Sequence, residues 1–212
     1  MPENPRADRD ALAVDLPPAA TVTSPADRCA AVVRDLRAMH PADDAQRALR
    51  EEYVALVLDR GGDALRKGGG PEHLTASTFV LSEDLSHVLL TLHRKAGAWL
   101  QVGGHVEDAD ATLAAAARRE AEEESGFPDV VLASEVPVDV DRHTLGERFS
   151  CRAHWDVGFV ALAPRGSAIV VSDESDDVAW WPVDDLPPDA QPDLRRRLPR
   201  AVAAVVASRR EV

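Results

Sequence analysis

Three glutamates, Glu120, Glu123 and Glu124, fall on one face of a helix predicted between Asp110 and Gly126. At about 100° per residue their side chains occupy an arc of roughly 100°, whereas Glu122 points away from them into solvent. The helix macrodipole is negative at this C-terminal end, so the carboxylates are unfavourable there unless a cation binds. Hard oxygen ligands on a rigid element favour Mg²⁺. The alternative interpretation is a solvated acidic face.

The helix that carries these glutamates has recognisable boundaries. Asp110 is predicted to be its N-cap, and Gly126 is predicted to end it in the left-handed conformation. Leu113, Ala117 and Ala121 repeat every four residues and define a buried stripe. Because alanine is small, we expect this helix to lie close to its neighbouring layer.

The segments around this helix have the composition of β-strands, being rich in β-branched and aromatic residues. The predicted strands cover residues 73–82, 87–93, 130–144 and 151–163. Mixed strands with few, separated helices predict a layered α/β fold. A last helix is predicted over residues 193–209, with a kink at Pro199.

Two further helices are predicted before the first strand. Ser24 as N-cap and Pro25 at the first helical position begin one of them, and the second covers residues 42–60. We predict that they pack on the main domain, while a dimer surface or a lid is the alternative. The predicted organisation is a tail (1–23), an N-terminal helical extension (24–70), a main domain (71–188) and a C-terminal helix packed on that domain (189–212).

Composition restricts the classes of partner. The 212-residue chain has a formal net charge of −13, which argues against a basic surface for nucleic acid or for an anionic membrane. Two cysteines are too few for a disulfide framework and fit a reducing compartment. Prolines and acids interrupt the first twenty residues, where a signal peptide needs an apolar core. We therefore expect a cytoplasmic protein that binds a small molecule.

The glutamates belong to a longer pattern that resembles the signature of the Nudix hydrolase family, G-x5-E-x7-R-E-U-x-E-E-x-G-U, where U is bulky and apolar. The matching residues are Gly104, Arg119, Glu120, Glu123, Glu124, Gly126 and Phe127. Asp110 stands where the family has Glu, and eight residues rather than seven separate it from Arg119. Ala121 is smaller than the family's residue at that position. With the closing segment WWPVDDLP, the resemblance covers roughly residues 74–188.

The resemblance implies a Nudix-like α/β/α sandwich with a mixed β-sheet. It also implies hydrolysis of a diphosphate linkage in a nucleoside diphosphate joined to another moiety, with Mg²⁺ or Mn²⁺ as cofactor. Glu123 and Glu124 would be the principal metal ligands, and Glu120 a further ligand or the general base. The Gly104 carbonyl would be another ligand, and Arg119 would hold Glu123 in place. Which glutamate accepts the proton stays open.

Weaker candidates lie outside this pattern. Arg94 and Lys95 at a strand end could bind phosphate, although both could equally be ordinary surface cations. His143 and His154 on the later strands could line the substrate pocket, although single strand histidines are more often structural. Glu174 in the acidic loop DESDD (173–177) could add a metal ligand or base, with a solvated turn as the alternative.

Two alternative functions use the same fold. One is hydrolysis or isomerisation of a prenyl diphosphate, in which isomerisation would need Cys151 as an acid or base. The other is a non-catalytic nucleotide-binding regulatory module, which the irregular spacing after Gly104 suggests. The expected partner is a nucleoside diphosphate derivative, with no nucleic acid and no membrane, and the N-terminal helices leave a homodimer open.

Overall fold

The computed structural model describes residues 24–128, 130–146, 150–173 and 175–210. Its α-helices are α1 (Pro25–Ala38), α2 (Asp44–Arg60), α3 (Leu113–Ser125) and α4 (Leu194–Ser208). The strands of this described part are β1 (Glu72–Ser82), β2 (His87–His93), β3 (Ala98–Leu100), β4 (Val102–His105), β5 (Asp139–Thr144), β6 (Ala153–Ala163) and β7 (Ser175–Pro182). The predicted tail at residues 1–23 and the predicted site residue Glu174 lie outside the described residues.

The sheet is built around β1. Along one edge β1 pairs in parallel with β6, from Glu72 opposite Ala153 to Ser82 opposite Ala163. Along its other edge it pairs antiparallel first with β4 and then with β2. Antiparallel β5 lies outside β6, and β3 and β7 both pair with β2. This mixed sheet confirms the predicted α/β fold class.

Helices cover both faces of the sheet. The side chains of β1 alternate between the two faces and include apolar ones on each, so both faces need a covering layer. Leu74 and Val80 are buried in a core that includes residues of α1, α2 and α3. Phe79 and Leu81 point the other way and are buried with residues of α4. Thr78 donates a hydrogen bond to the Ala117 carbonyl at 3.0 Å, so the alanine-rich helix lies close to the sheet. The layers are therefore α/β/α, as predicted.

The N-terminal helices pack on this domain through polar contacts, and those of α2 are buried. Gln46 of α2 donates to the Val140 carbonyl at 2.8 Å and accepts from the Val140 amide at 3.1 Å. The Tyr53 hydroxyl donates to the Asp156 carbonyl at 3.0 Å. From α1, Arg28 donates to the Glu107 carbonyl at 2.8 Å, in the loop that precedes α3. The extension thus supports both the edge strand β5 and that loop.

Several predicted boundaries are wrong. The predicted strand over residues 130–144 is regular only in β5, because Pro137 lacks the amide that a ladder needs. Before it, Leu132 forms an isolated bridge with Ala161. The acidic segment 173–177 is not wholly a loop, since β7 begins at Ser175. Within the described ranges, no helix has the length and apolar character that crossing a membrane requires.

Candidate functional site

The site is built where β4 leads through a loop into α3. Thr112, not Asp110, is the N-cap of α3, since its hydroxyl accepts from the Ala115 amide at 3.0 Å. The prediction for Asp110 is therefore wrong, although Gly126 does end the helix with φ of 70° as predicted. Asp110 is instead buried, with 6% of its surface exposed, and its carboxylate faces Arg119.

Arg119 joins the loop to the glutamates. Its Nε and Nη2 donate to the two carboxylate oxygens of Asp110 at 3.1 and 2.9 Å. Nη2 also donates to the His105 carbonyl at 2.9 Å. Nη1 donates to Glu120 Oε1 at 2.9 Å and to Glu123 Oε2 at 3.2 Å, which places two carboxylates around one guanidinium nitrogen. The hydrogen bond with Asp110 and the charge of Glu120 raise the pKa of Arg119 above its usual value.

The spacer between β4 and α3 contains a turn that two hydrogen bonds close. The Asp110 amide donates to the Glu107 carbonyl at 3.1 Å, and the Glu107 amide donates back to Asp110 Oδ2 at 2.8 Å. The turn therefore brings the short Asp110 side chain within reach of Arg119. From the sequence, the N-cap role was preferred for Asp110 over an ion-pair role, although Arg119 nine residues along the chain was the signal for this pair.

The glycine turn of β4 contacts two of the predicted ligands, Glu124 and Glu120. The Gly103 amide donates to Glu124 Oε2 at 2.8 Å, and Glu124 is only 5% exposed. A Cβ atom on Gly104 would lie 2.7 Å from the carboxylate of Glu120. The structure thus brings Gly104, Arg119, Glu120, Glu123 and Glu124 together at one end of α3.

Glu122 points away from this group, as predicted, but it is not simply solvated. Its Oε1 accepts a hydrogen bond from the Val130 amide at 3.1 Å. This contact ties α3 to the segment that follows it. Glu122 therefore has a local structural contact on a different side of the helix from Arg119.

Gly104→Ala is expected to weaken Mn²⁺ binding at the predicted glutamate ligands by about 10- to 100-fold, the range found for groups that orient metal ligands. The added methyl group would displace the Glu120 carboxylate. The fold should persist, because the atoms that must move belong to the end of a flexible side chain and not to the backbone. Electron paramagnetic resonance titration with Mn²⁺ measures the change. Gly146→Ala is the control, since among the described residues other than its chain neighbours no atom lies within 4 Å of its Cβ position. Equal Mn²⁺ affinity in the two variants would contradict this expectation.

Asp110→Asn is expected to weaken Mn²⁺ affinity by about 10- to 100-fold as well, because outer-shell partners orient the ligands. The amide keeps the shape of the side chain but loses the charge that holds Arg119 toward Glu120 and Glu123. Asp108→Asn in the same loop is the matched control, since its side chain is 91% exposed. If both variants bind Mn²⁺ like the unmodified protein, Asp110 does not position the glutamates.

Arg94 and Lys95 lie in different surroundings. Arg94 donates to Asp176 Oδ1 at 2.7 Å and to the Asp173 carbonyl at 2.8 Å, so it joins the end of β2 to β7. Lys95 is exposed in the turn after β2. Their contact with phosphate stays a prediction, and the observed contacts of Arg94 are those of a structural surface cation.

His143 and His154 are neighbours on β5 and β6, with ring centroids 5.5 Å apart. Burial lowers the pKa of His154 to about 3. Burial also acts to lower the pKa of His143, but the hydrogen bond to Asp141 raises it above its ordinary value overall. The structure adds His73 and His105, whose rings lie 5.3 and 5.2 Å from that of His154. Sequence reasoning gave no role to His73.

A buried ionic network continues along the same face of the sheet. Arg197 of α4 is completely buried and donates to both oxygens of Asp139, at 3.0 and 2.9 Å. Its Nη2 also donates to Asp156 Oδ2 at 2.7 Å. Thr75 and Ser77 of β1 donate to the oxygens of Asp156 at 2.8 and 2.5 Å. Burial acts to raise the pKa of Asp156, but the charge of Arg197 lowers it overall. Alternating aspartates in β5 were the sequence signal for this network.

A groove of about 850 Å³ runs between α1 and α2, away from the glutamates. Its walls include Cys29, Val33 and Leu58, and Leu58 is 67% exposed. The homodimer remains a prediction for this surface.

Comparison with known proteins identifies the domain. The NUDIX domain family matches residues 71–201. A NUDIX-family hydrolase from Clostridium perfringens is 24% identical with a TM-score of 0.51, and the match covers 64% of this chain and 97% of that chain. An Ap4A hydrolase from C. elegans is 17% identical with a TM-score of 0.53, covering 64% of this chain and 98% of that chain.

A third solved structure, the dihydroneopterin triphosphate pyrophosphohydrolase of E. coli, is 18% identical with a TM-score of 0.50 and covers 66% of this chain and 97% of that chain. At these identities the likenesses show the fold. No curated protein sequence matches the chain significantly.

Proposed function

The chain belongs to the Nudix hydrolase family, whose members act on phosphorus-containing anhydrides, and we propose that it is a divalent-metal-dependent diphosphohydrolase. The substrate class that we propose is a nucleoside diphosphate joined to another moiety. One observation supports this most strongly: Arg119 and the glycine turn hold three carboxylates at one end of α3.

The residues present fit a hard divalent cation. Glu120, Glu123 and Glu124 offer carboxylate oxygens, and the Gly104 carbonyl lies in the same turn, which is the donor set that Mg²⁺ prefers. The Glu120 carboxylate occupies the space that a Cβ atom on Gly104 would fill. We propose Mg²⁺ as the cofactor, with Mn²⁺ as its substitute.

When bound, the cation offsets the charge of the diphosphate and acidifies the attacking water. Arg119 fixes Glu120 and Glu123 through one nitrogen, Nη1, so that both carboxylates keep their orientation. The Gly103 amide fixes Glu124 in the same way. Either Glu120 or Glu123 accepts the proton of the water, which attacks phosphorus as the bond to the bridging oxygen breaks. The side chain of Glu123 is 59% exposed and therefore accessible to a substrate.

A substrate panel tests the proposal. It contains nucleotide sugars, dinucleotides, nucleoside triphosphates and prenyl diphosphates, each incubated with the full chain and Mg²⁺ or Mn²⁺. Ap4A and dihydroneopterin triphosphate belong to the panel because proteins of similar fold are named for them. We expect release of a nucleoside monophosphate or phosphate from at least one nucleotide, and loss of that release with a chelator.

Other outcomes of the panel would overturn the proposal. Tight nucleotide binding without turnover under any divalent metal would favour the regulatory module. Turnover of prenyl diphosphates alone would favour the second alternative, and unchanged turnover in Cys151→Ala would then exclude an acid or base role for that thiol.

A further inference from the structure

Four side chains with metal-ligating atoms converge on the face of the sheet that is turned away from α3. One ligand atom from each lies within 4.8 Å of the corresponding atoms of the other three, and the residues are His73, His105, Cys151 and His154. His105 directly follows Gly104 in β4, and successive strand residues point to opposite faces. The cluster is therefore separate from the carboxylates of α3.

Strand register explains why these side chains meet. His73 of β1 lies directly opposite His154 of the parallel strand β6. On the other edge of β1, His105 is paired with Thr75, which shares a face with His73. Cys151 stands just before β6, with its Sγ 3.8 Å from His73 Nε2. Strands β1, β4 and β6 thus supply one histidine each, and Cys151 supplies the thiol from two residues before β6.

Three buried ring nitrogens of the cluster have no hydrogen-bond partner among the described residues. They are Nδ1 of His73 and the Nε2 atoms of His105 and His154. Buried polar atoms are normally paired, because leaving them unpaired costs free energy. Ring centroids only 5.1 to 5.3 Å apart would also place like charges together if the histidines were protonated. Neutral imidazoles are the form that coordinates a metal.

We propose that His73, His105, His154 and Cys151 bind one Zn²⁺ ion in a tetrahedral site. Three imidazole nitrogens and one thiolate are a donor set that zinc takes, and four protein ligands make a closed, structural site. On coordination the Cys151 thiol loses its proton to solvent. The ion would cross-link β1, β4 and β6 directly behind the Gly103–Gly104 turn.

His143 lies beside this group but outside it. Its ring is not part of the group of four ligand atoms, and its Nδ1 lies 3.5 Å from Asp141 Oδ2, an ion pair when the ring is protonated. The glutamates of α3 offer oxygen ligands only, which favour Mg²⁺ over zinc. The two sites are thus distinguished by donor chemistry as well as by their sheet face.

Zinc content and the cobalt spectrum test the proposal. The full chain is stripped with a chelator, dialysed, and titrated with Zn²⁺ or Co²⁺ in the presence of excess Mg²⁺. We expect one tightly bound equivalent of Zn²⁺, and with Co²⁺ a thiolate-to-metal charge-transfer band and the intense visible bands of tetrahedral coordination. Absence of both cobalt features in the unmodified protein would overturn the proposal without any variant.

Variants identify the ligands. Cys151→Ser should abolish the charge-transfer band. Cys151→Ser and His154→Gln should each weaken Zn²⁺ binding at least about 10-fold, since even changes to residues that only orient metal ligands weaken binding that much. Cys29→Ser is the matched control, because Cys29 lies on α1 outside the cluster. Glu124→Gln should keep the zinc and its spectrum. A band that persists in Cys151→Ser, or one lost equally in Cys29→Ser, would refute the assignment.

Discussion

Glu124→Gln is expected to reduce turnover by at least roughly 100-fold, the equivalent of about 3 kcal/mol of lost charge stabilisation in the transition state. The amide oxygen of glutamine can still accept from the Gly103 amide, so the buried hydrogen bond and the fold should persist. What is lost is the negative charge that a divalent cation needs. The effect should therefore be on turnover and metal affinity rather than on stability.

The measurement compares turnover and Mg²⁺ dependence for Glu124→Gln, Glu123→Gln and Glu122→Gln. Glu122 is the matched control, because it lies on the same helix and its carboxylate contacts the Val130 amide instead of the site. We expect Glu122→Gln to keep nearly full activity, and Glu123→Gln to lose activity while Arg119 stays bound to Asp110. Activity that survives both Glu123→Gln and Glu124→Gln would exclude these residues as metal ligands.

The part of the site that could be predicted depends on local geometry. Helical spacing alone places Glu120, Glu123 and Glu124 on one side of α3 and Glu122 on another, since each residue turns the helix by about 100°. Gly126 was equally predictable, because a left-handed cap is a local conformational requirement of the backbone. These features need no knowledge of the rest of the chain.

The part that local spacing does not predict depends on side-chain ion pairs and on strand register. Asp110 has a side chain that often caps helices, but its carboxylate is bound by Arg119. Thr112 caps the helix instead. The histidine cluster likewise follows from the register of β1 against β6, which periodicity within one strand does not reveal. Local propensity was therefore right about the type of element and wrong where tertiary ion pairs or register decided.

The buried Arg197 could not be predicted from local pattern either, because it follows two other arginines in α4 and resembles these neighbours in sequence. Arg197→Met is expected to lower the free energy of unfolding by about 3–5 kcal/mol, since removing one member of a buried ion network leaves charge unpaired. The substitution would leave Asp139 buried and would deprive Asp156 of its cationic partner, in the layer between α4 and the sheet. Urea unfolding monitored by circular dichroism at pH 7 measures the loss.

Arg195→Met provides the matched control, because Arg195 is exposed on the same helix and should change stability little. The triple variant Arg197→Met, Asp139→Asn, Asp156→Asn should be more stable than Arg197→Met, since neutral amides cost less to bury than unpaired carboxylates. This comparison stays informative if Arg197→Met alone fails to fold. Equal stability of Arg197→Met and Arg195→Met would mean that α4 is held on the sheet by its apolar contacts, with no net contribution from the buried ions.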